Sequence, residues 1–317
     1  MIWLPYRKHT LMHHDLMVIE DGGTRVLHVA FTMAIPAPAE GRRTRPDEAP
    51  STMTNTLVLG VLTDTHLAPA GSPPRGFINP YPFDQSFAML DTALDWFRER
   101  DVDAIAILGD LVMFEDEASL DAGMTRIAAL GTPVLIVPGN HDGVDWEGAI
   151  ARNLPNQETP AWPTISRALD VKVEQNPERW WTGGVSLPED GPAVVLSHFP
   201  ILSVGDFLIA AGFPYAGDAT WDGSTEGLAE RTLPVVAISG HVHIRYEVVE
   251  GAVLQLGFGA LIEPPHSAAI LTLGEQDGAF AAAVEHISVA EHQVERLPVI
   301  SEAQSTWRFV DGVWARQ

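Results

Sequence analysis

The sequence predicts an α/β sandwich, with a mixed, largely parallel pair of central sheets flanked by helices. Three observations predict it. Short apolar runs rich in β-branched residues alternate with longer segments whose apolar residues recur at helical spacing. The runs are apolar almost throughout, as in strands covered on both faces. They stop abruptly at glycine or at a polar residue, as strands do when they enter loops at a sheet edge.

Taken in order, residues 1–53 stand apart. They show no clear period, and "PAPAEGRRTRPDEAPST" is a Pro-rich, charged linker, so residues 36–53 mark a boundary. The stretch "VLHVAFTMAIPAPA" resembles a signal-peptide core, but it lies well inside the chain without a basic start nearby. A second reading takes Met53 as the natural start. Residues 1–53 are thus expected to be an N-terminal extension and linker, 54–285 the main domain, and 286–317 a C-terminal extension.

From residue 57 the pattern becomes regular. "TLVLGVL" reads as a strand, and "FDQSFAMLDTALDWFRERD" places Phe83, Phe87, Leu90, Leu94 and Phe97 on one helical face. "DAIAIL", a helix over roughly residues 116–130 and "PVLIVP" extend the βα alternation. Residues 143–192 read as loops and short helices. There Trp180 and Trp181 either stack on a substrate or anchor the loop, the commoner role of such a pair, and Trp221 and Tyr215 carry the same ambiguity. "AVVLS" and "PVVAIS" are later strands, followed by the hairpin-like "RYEVVEGAVLQLGF" and by "SAAILTL". The tail from residue 286 adds a strand, covers the sheet or contacts a second subunit.

Composition removes several function classes. The 317 residues are 46% hydrophobic, enough for a full core, and no apolar run approaches the roughly 20 residues of a membrane helix. A cytoplasmic setting is expected; the oligomeric state is not legible. There are no cysteines, so disulfides, thiolate metal sites and a cysteine nucleophile are excluded, and any metal must be held by His, Asp, Glu or Asn. A formal charge of −23 disfavours nucleic acid as a partner, because duplex binding is largely phosphate neutralisation by Lys and Arg. A small anionic substrate stays open, since bound cations reverse the sign of the local field.

The chemistry-bearing residues sit at the strand ends. "LVLGVL" runs into Asp64 and His66, "AIAIL" into Gly109-Asp110, "VLIVP" into Gly139-Asn140-His141-Asp142, "AVVLS" into His198, and "PVVAIS" into Gly240-His241-Val242-His243. In a parallel sheet the carboxyl ends lie along one edge, where ligands bind, so these residues are expected to converge. Five of the twelve histidines fall in this pattern. The other seven, His9, His13, His14, His28, His266, His286 and His292, read as surface or core residues.

This set resembles the calcineurin-like metallophosphoesterase superfamily, whose motifs are Asp-x-His, Gly-Asp, Gly-Asn-His-Asp/Glu, a lone His and Gly-His-x-His. The resemblance covers about residues 57–275. It implies a dinuclear centre in which Asp64, His66, Asp110 and His243 hold one metal and Asp110, Asn140, His198 and His241 the second, with Asp110 bridging. Two divalent cations polarise phosphoryl oxygens and lower the pKa of a bridging water. The mixed ligands suit manganese or iron, with zinc as a further candidate. By the same resemblance His141 sits beside the phosphate, to stabilise developing charge or to protonate the leaving oxygen. Asp142 is either its orienting partner or a structural turn residue, two roles the sequence weighs equally. Gly109, Gly139 and Gly240 are expected to permit tight turns.

The resemblance also narrows. Protein phosphatases and dinucleoside tetraphosphatases of this superfamily carry an arginine after the Gly-Asp block; here Met113 and Phe114 occupy that region. Purple acid phosphatases lack the first-motif histidine, and His66 is present. The motif style is similar to bacterial class III cyclic-nucleotide phosphodiesterases. Three readings remain: a phosphohydrolase for a small phosphate ester, with a diester favoured; a metal-dependent nuclease, disfavoured by the acidic balance; and a non-catalytic scaffold, which usually shows eroded ligands.

Overall fold

The computed structural model describes residues 16–20, 23–27, 53–114, 116–142, 146–154, 160, 163–168, 170–172, 180–182, 187, 190–210, 228, 231–291 and 302–317. It divides into two units, Met1–Ala49 and Pro50–Gln317. In the first, β1 (Leu16–Glu20) and β2 (Gly23–Leu27) pair antiparallel.

The second unit opens with β3 (Thr54–Leu62), which obeys the two-residue period of a strand. Leu57, Leu59 and Val61 point into the core between the two large sheets, while Leu62 points into the core under the helices. Helix α1 (Ser86–Glu99) buries Leu90, Leu94 and Phe97 as its spacing predicts, with Met89 and Ala93 beside them, while Phe87 is half-buried. Phe83 lies just before it, in a single 3-10 turn. The helix stops at Arg100, and Asp101 comes next in left-handed backbone, a common helix exit.

Next come β4 (Ala104–Leu108), buried at every position, α2 (Glu117–Ala128), β5 (Val134–Val137) and α3 (Trp146–Asn153). Helix α2 starts where Asp116 caps it, its carboxylate accepting from the Ser119 amide at 3.0 Å. The chain continues through β6 (Thr164–Ala168), β7 (Asp170–Lys172), β8 (Trp180–Thr182), β9 (Ala193–Ser197), α4 (Gly205–Ala210) and β10 (Val235–Ser239). The expected hairpin forms as β11 (Tyr246–Glu250) and β12 (Val253–Gly257). Four strands end the chain: β13 (Ser267–Gln276), β14 (Ala279–Ser288), β15 (Gln304–Val310) and β16 (Val313–Arg316).

These strands build a seven-stranded sheet, β16-β15-β14-β13-β3-β4-β5, and a five-stranded sheet, β11-β12-β10-β9-β6, with β7 and β8 as a separate pair. β3, β4 and β5 run parallel, as do β6, β9, β10 and β12; β11 and β13–β16 are antiparallel additions. Leu59, Leu108, Leu135, Leu196, Ile238, Leu256 and Leu271 are among the residues filling the space between the sheets. The other face of the seven-stranded sheet packs on α1 and α2 through Ile105, Ile107, Leu90, Met124 and Ile127.

Of the roles open to residues 286–317, strand addition is the one seen. β14 runs on to Ser288, and Trp314 of β16 is buried, with its indole N–H donated to the Ala252 carbonyl at 2.8 Å. The side chains of Trp180 and Trp181 lie outside the described part of the chain, as do residues Tyr215, Trp221, His9, His13, His14, His28 and His292. His266 and His286 are buried.

Candidate metal centre

Asp64 and His66 come after β3, Asp110 after β4, Asn140 and His141 after β5, His198 after β9, and His241 and His243 after β10. Backbone bonds tie these strand ends together. The Asp64 amide donates to the Gly109 carbonyl at 3.1 Å, the His66 amide to Asp110 O at 2.9 Å, and the Gly240 amide to His198 O at 3.0 Å. The approach is close enough to require glycine. A Cβ on Gly139 would lie 2.2 Å from Asp110 Oδ1, and one on Gly240 would lie 1.8 Å from Thr63 Oγ1. Neither residue is at positive φ, so both are needed for space; of the three motif glycines, Gly109 is the one that turns in left-handed backbone, at φ 90°. Asp64, His66, Asp110, His241 and His243 share that region, with φ between 42° and 65°.

The side chains gather into two principal groups. Asp64, His66 and His243 bring one ligand atom each to within 4.8 Å of one another, and so do Asp110, His198 and His241. His141 forms a further such group with His66 and Asp110. Asn140 joins the second group, its Oδ1 3.1 Å from His198 Nε2. Asp142 stands behind, accepting the Val112 amide on Oδ1 at 3.1 Å and the Gly139 amide on Oδ2 at 2.9 Å. The His141 ring is held instead through Nδ1, 3.2 Å from the Met113 carbonyl.

The donor set fits metal ions. Asp64 Oδ2 accepts from the Thr63 hydroxyl and the His241 amide, yet Oδ1 is buried with no hydrogen-bond partner among the described residues. It faces His243 Nε2 at 3.3 Å, and that nitrogen lies 3.2 Å from His66 Nε2. With a proton on one of them the two nitrogens hydrogen-bond; with both as lone pairs, a separation this short calls for a cation between them. Nitrogens on one tetrahedral ion, with bonds of about 2.0–2.1 Å, are spaced about 3.3 Å apart. The second group shows the matching support: the Leu108 carbonyl accepts from His198 Nδ1 at 2.7 Å, which turns the Nε2 lone pair toward Asp110 Oδ2 and Asn140 Oδ1, three acceptors that a cation would reconcile.

Electrostatics distinguish the residues. Burial lowers His66 and His241 to about 3, so both are neutral near pH 7. Burial also opposes charge on His243, but Asp64 and Glu263 outweigh it and raise that imidazole to about 9. For Asp110 burial would raise the carboxyl, and His198 overrides it, holding Asp110 well below the usual range. Asp142 is raised to about 7 by burial and then by the charge of Asp110.

The model of the calcineurin-like phosphoesterase family matches residues 57–245. The chain belongs to this family. Among solved structures, this calcineurin-like phosphoesterase is similar to a dimetal phosphatase from Danio rerio, at 16% identity and a TM-score of 0.54, over 74% of this chain and 97% of that one. It also matches Yfce, a phosphoesterase from E. coli, at 14% identity and a TM-score of 0.35, over 74% of this chain and all 100% of that one. At 16% identity the likeness to the Danio rerio protein concerns the fold. No match is found among curated proteins. Among the described residues, no helix of this phosphoesterase is long and apolar enough to cross a membrane.

Sequence reasoning missed the residues behind the first group. Glu263 contacts His243, Tyr81 stacks on His66 with ring centroids 5.4 Å apart, and Phe77 meets His243 edge-on at 5.7 Å. One signal for Glu263 was present: it is the single charge within "LQLGFGALIEPP", just past an apolar strand.

Proposed function

We propose that this calcineurin-like phosphoesterase is a dinuclear metal-dependent phosphohydrolase acting on a small-molecule phosphodiester. The observation that carries the reading is the position of Asp110, whose Oδ2 lies 3.7 Å from His66 Nε2 and 3.4 Å from His198 Nε2, between the two ligand groups. Asp64, His66, Asp110 and His243 would hold one ion, and Asp110, Asn140, His198 and His241 the other. When bound, the ions supply Lewis-acid polarisation of the phosphoryl group and a water activated for attack. Imidazole, carboxylate and amide donors together favour manganese or iron, with zinc also compatible.

The chain's own side chains do the rest. His141, with Nδ1 engaged by the Met113 carbonyl, keeps its other ring nitrogen for the leaving oxygen, to which it delivers a proton. Asp142 positions that imidazole indirectly, by clamping the turn that carries it to the Val112 amide. The diester preference is supported by the apolar side chains of Met113 and Phe114 just beyond Asp110, where a bidentate arginine would favour a dianionic monoester. The same reading takes the cytoplasm as the enzyme's setting, which cell fractionation checks.

The test is turnover of an aryl phosphodiester beside its monoester, by metal-stripped protein resupplied with manganese, with His141→Ala as control. Manganese-dependent diester hydrolysis that the variant loses is the expected result. Turnover of the monoester alone would reverse the substrate preference, and no turnover with two ions bound would sink the hydrolase reading in favour of a scaffold.

A further inference from the structure

Behind the first ligand group lies a carboxylate beyond Arg245, where the family match ends. Glu263 is fully buried. Its Oε2 lies 2.9 Å from His243 Nδ1, while Oε1 accepts from the Asn79 backbone amide and from Asn79 Nδ2 at 3.2 Å. Three donors thus converge on one side chain. An ionised carboxylate accepts from all of them at once; a glutamine would turn its own NH2 toward one. Burying such a charge is costly unless it is paired, and its ion partner is His243.

We propose that Glu263 is a positioning residue for the first metal ion: by accepting the Nδ1–H of His243 it selects the tautomer whose Nε2 lone pair faces Asp64 and His66. This rests on reading the site as a metal centre. His243 Nε2 lies 3.3 Å from Asp64 Oδ1 and 3.2 Å from His66 Nε2, and rotation of the ring would carry it away from both. Glu263 resists that rotation from behind, and its charge strengthens the imidazole as a donor. The same carboxylate holds the loop between β3 and α1 through Asn79, which places Phe77 and Tyr81 over the ligating histidines. Ligand geometry and the lip of the site therefore depend on one buried group.

The experiment is a cobalt(II) titration of metal-stripped, full-length wild type, Glu263→Gln, Glu263→Ala and Asn79→Ala, monitored by calorimetry and visible absorption. Wild type should bind two ions. Glu263→Gln, nearly the same shape, should weaken one binding event by about 10- to 100-fold and alter its absorption band, leaving the other event unchanged. Glu263→Ala should do the same; should it fail to fold, Glu263→Gln decides. Asn79→Ala, which leaves the partner of His243 in place, should shift affinity less than either. Two wild-type-like events in Glu263→Gln would overturn the proposal, and so would an equal loss in Asn79→Ala, because the loop and not the imidazole would then be the route. If wild type itself binds no cobalt, the metal-centre reading falls first, an outcome distinct from failure of Glu263 alone.

Discussion

The two halves of the candidate site share aspartate and histidine, with Asn140 the one amide, and brace them differently. Behind the half built on Asp64, His66 and His243 stands a buried charge, Glu263; behind the half built on Asp110, Asn140, His198 and His241 stands a neutral carbonyl, that of Leu108. His241 and His243 come from one motif, yet their imidazoles move in opposite directions, to about 3 and about 9. Burial disfavours charge on both. What differs is the company: His243 hydrogen-bonds to the carboxylates of Asp64 and Glu263, whereas at His241 the charge of His198 comes ahead of those of Asp110 and Asp64 and no carboxylate hydrogen bond assists. Protonation at this centre is therefore set by the packing around each ligand and not by the motif that supplies it.

The comparison breaks most completely at Asp110, which belongs to both halves. Asp110→Ala should lose the paired metals and activity together, measured as metal content and turnover on the same sample. His141→Ala should leave both halves loaded and lower the rate by about 10²- to 10⁴-fold. Equal metal loss in these two variants would overturn the separation of ligand from proton donor.

Metal-free protein sharpens the contrast through pH. His243 is raised above its ordinary 6.5 to about 9, so its stabilising contribution is complete below pH 6.5 and is lost as pH rises through 9. His241 is depressed to about 3, so folding bears no penalty from it above 6.5 and loses stability as pH falls from 6.5 toward 3. His243→Gln should flatten the alkaline limb of the stability profile, by on the order of 3 kcal/mol, and His241→Gln the acid limb. Denaturant midpoints across pH read both; the same limb flattening in both variants would refute the contrast. The smallest effect concerns the N-terminal unit: deleting residues 1–52 should leave turnover unchanged, and an insoluble or inactive truncation would show that this segment completes the core.

Much of this was legible in the sequence because strands covered on both faces write themselves as apolar runs, and each run here ends on a metal-ligand residue type. Parallel pairing accounts for Asp64, Asp110 and Asn140 along the edge of one sheet and for His198 and His241 along the edge of the other; that the two edges meet comes from the packing of the sheets. Other features were not legible, for physical reasons. Glu263 meets His243 only after β12 and β13 bring the chain back, and it meets Asn79 across 184 residues; no local period records such a contact. Asp142 could be weighed only evenly, since a carboxylate clamping backbone amides and one orienting a histidine look alike in sequence. The tail was ambiguous because β15 and β16 lie at the margin of the sheet, with β16 as its edge, and half-exposed positions such as Trp307 and Phe309 dilute the apolar signal.

Five of the candidate ligands occupy left-handed backbone, a conformation that costs an L-residue about 1 kcal/mol or more and that glycine enters freely. Stability alone would favour glycine or asparagine at these positions. Aspartate and histidine are held here at a backbone cost that their burial and contacts must offset.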